Sequence, residues 1–395
     1  PLTFSFALEN YKNVYVQFCE ILGVPNAVVK DMEYYLGNML GCINGRVFYN
    51  LYNWYKLVGI LPGFKHNRAF METMMGVGQS LSEEIKERIE PHPSWNTPLG
   101  GLRRIRTGLA FLYYHFNINK TVATFLRDFD RDYQVYRRKN FAKMRSDELF
   151  SMYIEINRKF LHKWKAPIIN DFLCMVHFGV LNALTAKWLS HAGSNLQNDL
   201  LAGEGGLESA EPTKMLIRYA GEIQNNKKLR DLVMATSDYS LLEALKQSEF
   251  RDFYAKVRHY IDRFGYRCIS EMKMEVKDLY VDPGFMFTCI KNYIRAGITD
   301  IGALEGREKT LRDGAGELLN KSLRGWKRII YRWSLKHARR SLKNRENTRF
   351  SRTRIYGVIR ALFRELGVRL RQEGVIASSA DIYYLTLQEL YGIHQ

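Results

Sequence analysis

Apolar residues recur at three- and four-residue steps along most of this chain, a period that leaves room for little besides helices packed on helices. Phe4, Ala7, Tyr11, Val14, Tyr15, Phe18 and Leu22 form the first such stripe, and Gly23 and Pro25 stop it. Further helices are expected over 50–61, 99–116, 121–141 (with Thr121 as cap), 146–164, 166–189, 212–235, 240–264, 285–296, 310–342 and 353–373, the last closed by Gly374. Thr386 followed by Glu389 has the spacing of a capping box for one more turn. Extended structure is expected in three short pieces only: 45–50, part of the loop 265–283, and Asp381–Leu385. The stretch 76–95 is less regular, and Pro91-His92-Pro93 marks a turn. The expected class is therefore mainly α: a large helical domain with a few short strands. Its two helical halves, 1–193 and 213–395, are joined by a Gly-rich loop that holds Gly203, Gly205, Gly206 and Pro212.

Charge narrows what such a helical protein meets. The net charge is +18, and it is concentrated: Arg307 to Arg371 holds twenty Lys/Arg against five Asp/Glu, a net of +15 in one sixth of the chain. A block of this kind attracts phosphate-bearing or otherwise polyanionic partners. The five cysteines (Cys19, Cys42, Cys174, Cys268, Cys289) form no CxxC pair and no zinc-ligand spacing. An odd count, widely spaced, argues against a disulfide framework and for a reducing, cytoplasmic setting. The apolar run 166–189 is interrupted by Asn170, Asp171, His177 and Asn182, so it reads as a helix buried on all sides in a helical core, and no membrane partner is expected. The chain opens at Pro1 without a signal peptide or an initiator Met, the pattern of a piece cut from something longer. No P-loop, GxGxxG, HExxH or GxSxG is present.

Four constellations could carry chemistry. Asp128-Phe-Asp130-Arg-Asp132 has the acids to hold Mg²⁺, but on a helix only Asp128 and Asp132 share a face. Arg127 and Arg131 interleave with them, so a solvated, salt-bridged face is the expected reading. In the run 344–354, Arg345, Arg349 and Arg352 are spaced four and three apart and converge on one side if helical; guanidinium forks suit phosphate or carboxylate, and Tyr356 could add a hydroxyl. Arg267 and Glu271, after Phe264-Gly265, could pin a loop or wall a pocket. The loop 202–208 carries Glu204 and Glu208, which repel anions, so it reads as a linker. No residue is assigned a catalytic role, and none a metal.

Three stretches together resemble one family. DRFGYRCISEMKMEVKDLYVDP (262–283), RENTRFSRTRIYGVIRALFRELGVRLRQEGVI (345–376) and DIYYLTLQEL (381–390) are similar, in that order, to segments of the phosphoenolpyruvate synthase and rifampicin phosphotransferase family. The opening PLTFSFALENY resembles the entry into the same middle helical domain. The resemblance implies an ATP-grasp domain that starts the transfer, a swivelling domain with a phosphorylated histidine, and a helical domain that holds the acceptor. This sequence matches the last of these. Neither an ATP-grasp loop nor a Thr-x-His motif is found in it, so ATP and Mg²⁺ are implied for an intact protein and no cofactor for this chain, which alone is expected to be inactive. The implied partners are those two domains and a small-molecule acceptor. The family's phosphate-side basic residues carry over to Arg345 and Arg349; the second is often Lys in the drug-modifying members. Arg holds an anion but does not give up its proton, which counts against a proton-transfer role there. Arg267 and Glu271 match family positions and are assigned to loop structure first. The rival reading of the charge is a basic nucleic-acid-binding or domain-docking module; no RRM, KH, zinc-finger or helix-turn-helix signature supports nucleic acid.

Overall fold

The computed structural model describes residues 1–59, 98–190, 195–203 and 206–394. Among them are sixteen α-helices and one two-stranded sheet, so the chain is mainly α. The Pro91-His92-Pro93 turn, the irregular stretch 76–95 and the end of the 50–61 helix lie outside the described residues. The first helix, α1 (Leu2–Ile21), ends where Gly23 predicts; α2 (Asn26–Asp31) and α3 (Glu33–Gly37) follow. The extended piece near 45–50 is the second arm of an antiparallel hairpin, β1 (Leu40–Ile43) and β2 (Arg46–Tyr49), and α4 (Leu51–Gly59) succeeds it.

The remaining helices correct several boundaries. A single helix, α5 (Pro98–Arg137), replaces the two expected over 99–141. Thr121 caps nothing; its hydroxyl donates to the Asn117 carbonyl one turn back, which satisfies it inside a continuous helix. Next come α6 (Ser146–Phe160), α7 (Lys165–Trp188) and α8 (Leu196–Leu201), the last of these in the expected Gly-rich loop. The 212–235 helix is two, α9 (Glu211–Asn225) and α10 (Lys227–Ala235), because Asn226 turns the chain and its side chain accepts from Leu229 N–H as an N-cap. The 240–264 helix is likewise α11 (Leu241–Gln247) and α12 (Arg251–Phe264). The loop 265–283 contains turns and no strand before α13 (Gly284–Arg295).

The expected helix 310–342 is cut at a different place. α14 (Ile301–Ser322) ends before Gly325, whose φ of +56° only a residue without Cβ adopts freely, and α15 (Gly325–Gln372) starts there. The apolar series Leu319, Leu323, Trp326, Ile330, Trp333 is thus divided. Leu319 and Leu323 are buried, while Trp326, Ile330 and Trp333 are 61%, 40% and 49% exposed. The helix expected over 353–373 is the second half of the 48-residue α15. Asp381–Leu385 is not a strand: Ser379–Tyr384 is a 3-10 helix with a Ser378/Asp381 capping box. The Thr386/Glu389 capping box is present and starts α16 (Leu387–Ile393).

Two compact units emerge, each assembled from separate stretches of chain. The first comprises 1–121, 140–169 and 362–395. Phe6, Tyr153 and Phe363 meet at its centre, with ring centroids 5.0–6.4 Å apart. Gln17 accepts from Trp164 N–H at 2.7 Å and donates to the Leu161 carbonyl, fixing α1 to the turn after α6. On α5, Leu102, Ile105, Leu109, Leu112 and Phe116 form an exposed stripe at steps of three and four.

The second unit comprises 122–139 and 170–361. One core forms where Leu216, Ile223, Val257, Ile261, Phe287 and Ile290 meet among α9, α12 and α13. Another forms where Leu181, Leu189, Leu200, Leu319, Tyr331 and Leu335 bring together α7, α8, α14 and α15. Arg354 of α15 lies 4.2 Å from the Tyr133 ring centroid and 2.5 Å from Asp130, which anchors the 122–139 part of α5. The rest of the acidic cluster is the expected salt-bridged face: Arg127 and Arg131 contact Asp128, and Arg131 also contacts Asp132.

One expectation about α7 fails. Together with the preceding helix, in the stretch Ser146–Trp188, it has the length and apolarity of a membrane span, but it is not buried on all sides. Val176, Phe178 and Val180 are 42–43% exposed, whereas Asn170 and His177 are buried. The polar residues face the neighbouring helix because their hydrogen-bond partners are there.

Candidate phosphate-side site

The 48-residue α15 is helical throughout 344–354, so Arg345, Arg349 and Arg352 do fall on one side of it. The opposing wall is α7. Asn170 donates its amide to the Ser341 carbonyl at 3.0 Å, and His177 Nδ1 lies 2.6 Å from the Ser341 hydroxyl. These bonds fix the register of the two helices and bring Asp171 beside the arginines. Arg345 Nε is 3.5 Å from Asp171 Oδ1, and Arg349 lies 3.4 Å from its own helix neighbour Glu346.

The cluster is cationic on balance: three guanidiniums face Asp171 and Glu346. The Nε atom of Arg352 is buried and has no hydrogen-bond partner among the described residues, and that of Arg345 is buried against the Asp171 carboxylate. A buried donor without an acceptor is costly. Desolvation by the surrounding protein pushes the Asp171 carboxyl above its usual range, while Arg345, Arg352 and Arg349 pull it back. Half of its side-chain surface still meets water, which limits the rise. Burial likewise pushes the Cys174 thiol, one turn along α7, up to about 11, so it stays a thiol at neutral pH and is no nucleophile. Tyr356 is buried, and burial pushes its hydroxyl up as well.

The raised carboxyl gives a signed pH effect. As pH falls through Asp171's raised pKa, the carboxylate is neutralised and ceases to compete for Arg345. Sulfate, which stays dianionic over this range, should therefore bind more tightly as pH is lowered. Asp171→Asn should bind it more tightly at neutral pH and lose much of that pH dependence. Calorimetric titration with sulfate from pH 7.5 downward checks this; an unchanged pH profile in the variant would assign the effect elsewhere.

Toward its N-terminus, the same side of α15 is apolar. At 100° per residue, Trp326, Ile330, Trp333, His337, Arg345 and Arg352 lie within an arc of about 120°. Trp188 of α7 meets Trp326 edge to face at 5.6 Å, and His337 lies 4.6 Å from Trp333 and 5.2 Å from His177. Trp333 and Arg345 are separated by about 18 Å of helix rise. An exposed aromatic surface and a guanidinium cluster thus share one rigid element.

Arg267 and Glu271 lie in the turn region after α12. They form an ion pair with each other, and Thr353 donates to Glu271 Oε2 at 2.9 Å, tying the loop to α15 next to Arg352. The loop 202–208 is also held against α15 where it is described: Glu208 N–H donates to Asn347 Oδ1 at 3.1 Å. Asp171, His177 and His337 are not evident as site residues from sequence. Asp171 and His177 carry a faint signal, since polar groups inside an otherwise apolar helix need a partner to justify burial; His337, on the charged α15, carries none.

Residues 169–346 match the family model of the rifampicin phosphotransferase fourth domain. The matched stretch includes Asp171, Arg267, Glu271 and Arg345 and ends before Arg349 and Arg352. No curated protein matches the chain. With this match, the helical layout from α7 into α15 is similar, over residues 169–346, to the rifampicin phosphotransferase fourth domain.

Proposed function

We propose that this chain is the acceptor-holding part of an ATP-dependent phosphotransferase. One observation carries the reading: α15 presents two half-exposed indoles, Trp326 and Trp333, on the side that also bears Arg345 and Arg352. The indoles offer an apolar acceptor large area at low entropic cost. The guanidiniums suit the charge that spreads over the three peripheral oxygens of a phosphoryl group in transfer. The aromatic surface favours a large apolar, hydroxyl-bearing acceptor over one as small as pyruvate. By family resemblance, the phosphoryl group reaches the acceptor from a phosphohistidine that was loaded from ATP on domains outside this chain.

Calorimetric titration with rifampicin tests the acceptor half. Trp333→Ala should weaken binding by about tenfold, the scale of one well-packed aromatic contact. Arg345→Gln with Arg349→Gln should leave that binding in place. When the ATP-binding and phosphohistidine domains are supplied, the double variant should slow transfer by about 10²–10³-fold, the scale of a lost charge-stabilising donor. Failure of rifampicin and of other apolar polyols to bind, or Trp variants without effect on that binding, would overturn the acceptor reading. Salt-sensitive binding of single-stranded RNA in its place would favour the rival.

A further inference from the structure

A second cationic site lies on a different arc of α15. Between α14 and the N-terminal third of α15 runs a groove of about 570 Å³. Leu319 and Leu335 form its apolar floor, and Arg332, Lys336 and Arg340 rise from its α15 wall. These three cations recur at steps of four, which places their charges about 6 Å apart along the helix. By helical periodicity they lie on the flank next to the Trp326–Arg345 side, so the groove is separate from the acceptor surface described above.

The groove is built and not merely coated with charge. Arg312 donates to the Gly203 carbonyl at 2.7 Å, and Arg339 donates through Nε to the Leu200 carbonyl at 2.9 Å. Those two guanidiniums hold the end of α8 against the groove and keep their charge at its edge. Arg332 is positioned by the Asn320 side chain, to which it donates at 2.8 Å. Lys336 and Arg340 are exposed, and no ion pair engages either of them among the described residues. Asp313 and Glu317 are the acids on the α14 side, against five cations, and Glu317 lies 3.8 Å from Lys321 outside the groove.

We infer that this groove binds a chain of two or three linked phosphates. A single phosphate would engage one or two of the cations. A di- or triphosphate spans the steps between Arg332, Lys336 and Arg340 and neutralises all three. The Leu319–Leu335 floor gives an attached organic group an apolar seat, so a nucleoside triphosphate should bind more tightly than inorganic triphosphate. The inference stands apart from the acceptor reading, since it uses neither Arg345 nor the Trp326–Trp333 surface.

Calorimetry on the chain with inorganic triphosphate, pyrophosphate and sulfate at constant ionic strength tests it. Affinity should fall in that order by at least threefold per step. The double variant Lys336→Gln/Arg340→Gln should weaken triphosphate binding at least tenfold with an unchanged far-ultraviolet dichroism spectrum. Lys327→Gln/Arg328→Gln, which removes the same charge from the same helix outside the groove, should change it less than twofold. Arg345→Gln should also leave it within twofold, which separates this site from the acceptor site. Equal losses in the two double variants would reduce the effect to net charge and overturn the inference. So would triphosphate binding no tighter than sulfate, or single-stranded RNA displacing triphosphate at equal phosphate concentration. ATP binding more tightly than triphosphate assigns the ligand as a nucleotide; equal affinities assign free polyphosphate and discount the apolar floor.

Discussion

Arg360→Met should destabilise the unit containing 170–361 by about 3–5 kcal/mol, the scale for leaving three buried carbonyls without a donor after partial relaxation. Arg360 is 1% exposed. Backbone carbonyls hold it: Nε donates to Lys273 at 3.1 Å, one terminal nitrogen to Tyr266 at 3.2 Å, and the other to Glu271 at 2.8 Å. A loop without strands has no ladder to satisfy its carbonyls, and a planar fork with five donors can replace one. Methionine fills the volume but leaves those carbonyls buried and unpaired, at about 1–3 kcal/mol each before relaxation. Arg360→Lys should recover only part of the loss, because one ammonium cannot point at carbonyls spread over eight residues of loop. Urea denaturation followed by tryptophan fluorescence measures the effect, and amide exchange over 266–274 should rise in step. A loss below 1 kcal/mol would mean that the Arg267–Glu271 pair and the Thr353 bond hold the loop without Arg360. We expect the reverse ranking: Arg267 and Glu271 keep 30% and 27% side-chain exposure, so breaking that pair should cost less than about 1 kcal/mol.

Local chemistry was legible in the sequence, and tertiary partners were not. The Thr386/Glu389 box, the stop at Gly23 and the break after α15 depend on residues within a turn of each other, and all are where the pattern places them. The segments expected as strands at 265–283 and 381–385 show why local pattern misleads. The alternating residues of the first read as period two and the aromatic run of the second as extended, but Arg360 satisfies backbone carbonyls of the first, and a capping box winds the second into a 3-10 helix. Likewise Leu319 and Trp333 have the same apolar character and compatible spacing; only the left-handed Gly325 between them decides that one is core and the other surface. For the candidate site, the 345–349–352 spacing was readable because α15 is uninterrupted. Asp171 was not, since its closeness to Arg345 depends on Asn170 and His177 bonding to Ser341, some 170 residues away.

Gly357→Ala should destabilise the same unit by about 2 kcal/mol or more, although helix propensity alone favours the change by nearly 1 kcal/mol. A Cβ added at Gly357 would overlap Tyr266 Cβ and lie 3.2 Å from Tyr266 Cα. The obstacle is therefore the root of a side chain, and no rotamer change of the tyrosine removes it. Tyr266 is itself fixed, 3% exposed, stacked edge to face with Phe350 at 6.0 Å, and its carbonyl accepts from Arg360 one turn along α15. The alanine must push the loop off the helix, and overpacking of this kind costs about 1–3 kcal/mol beyond any propensity gain. Gly314→Ala supplies the contrast on α14. No atom lies within 4 Å of where its methyl group would sit, so the propensity gain should appear there undiminished, as up to about 1 kcal/mol of stabilisation. Urea midpoints of the two variants should thus move in opposite directions. If both rise, the loop yields to the helix without cost, and the close approach of Tyr266 to α15 contributes nothing to how firmly Arg267 and Glu271 are held.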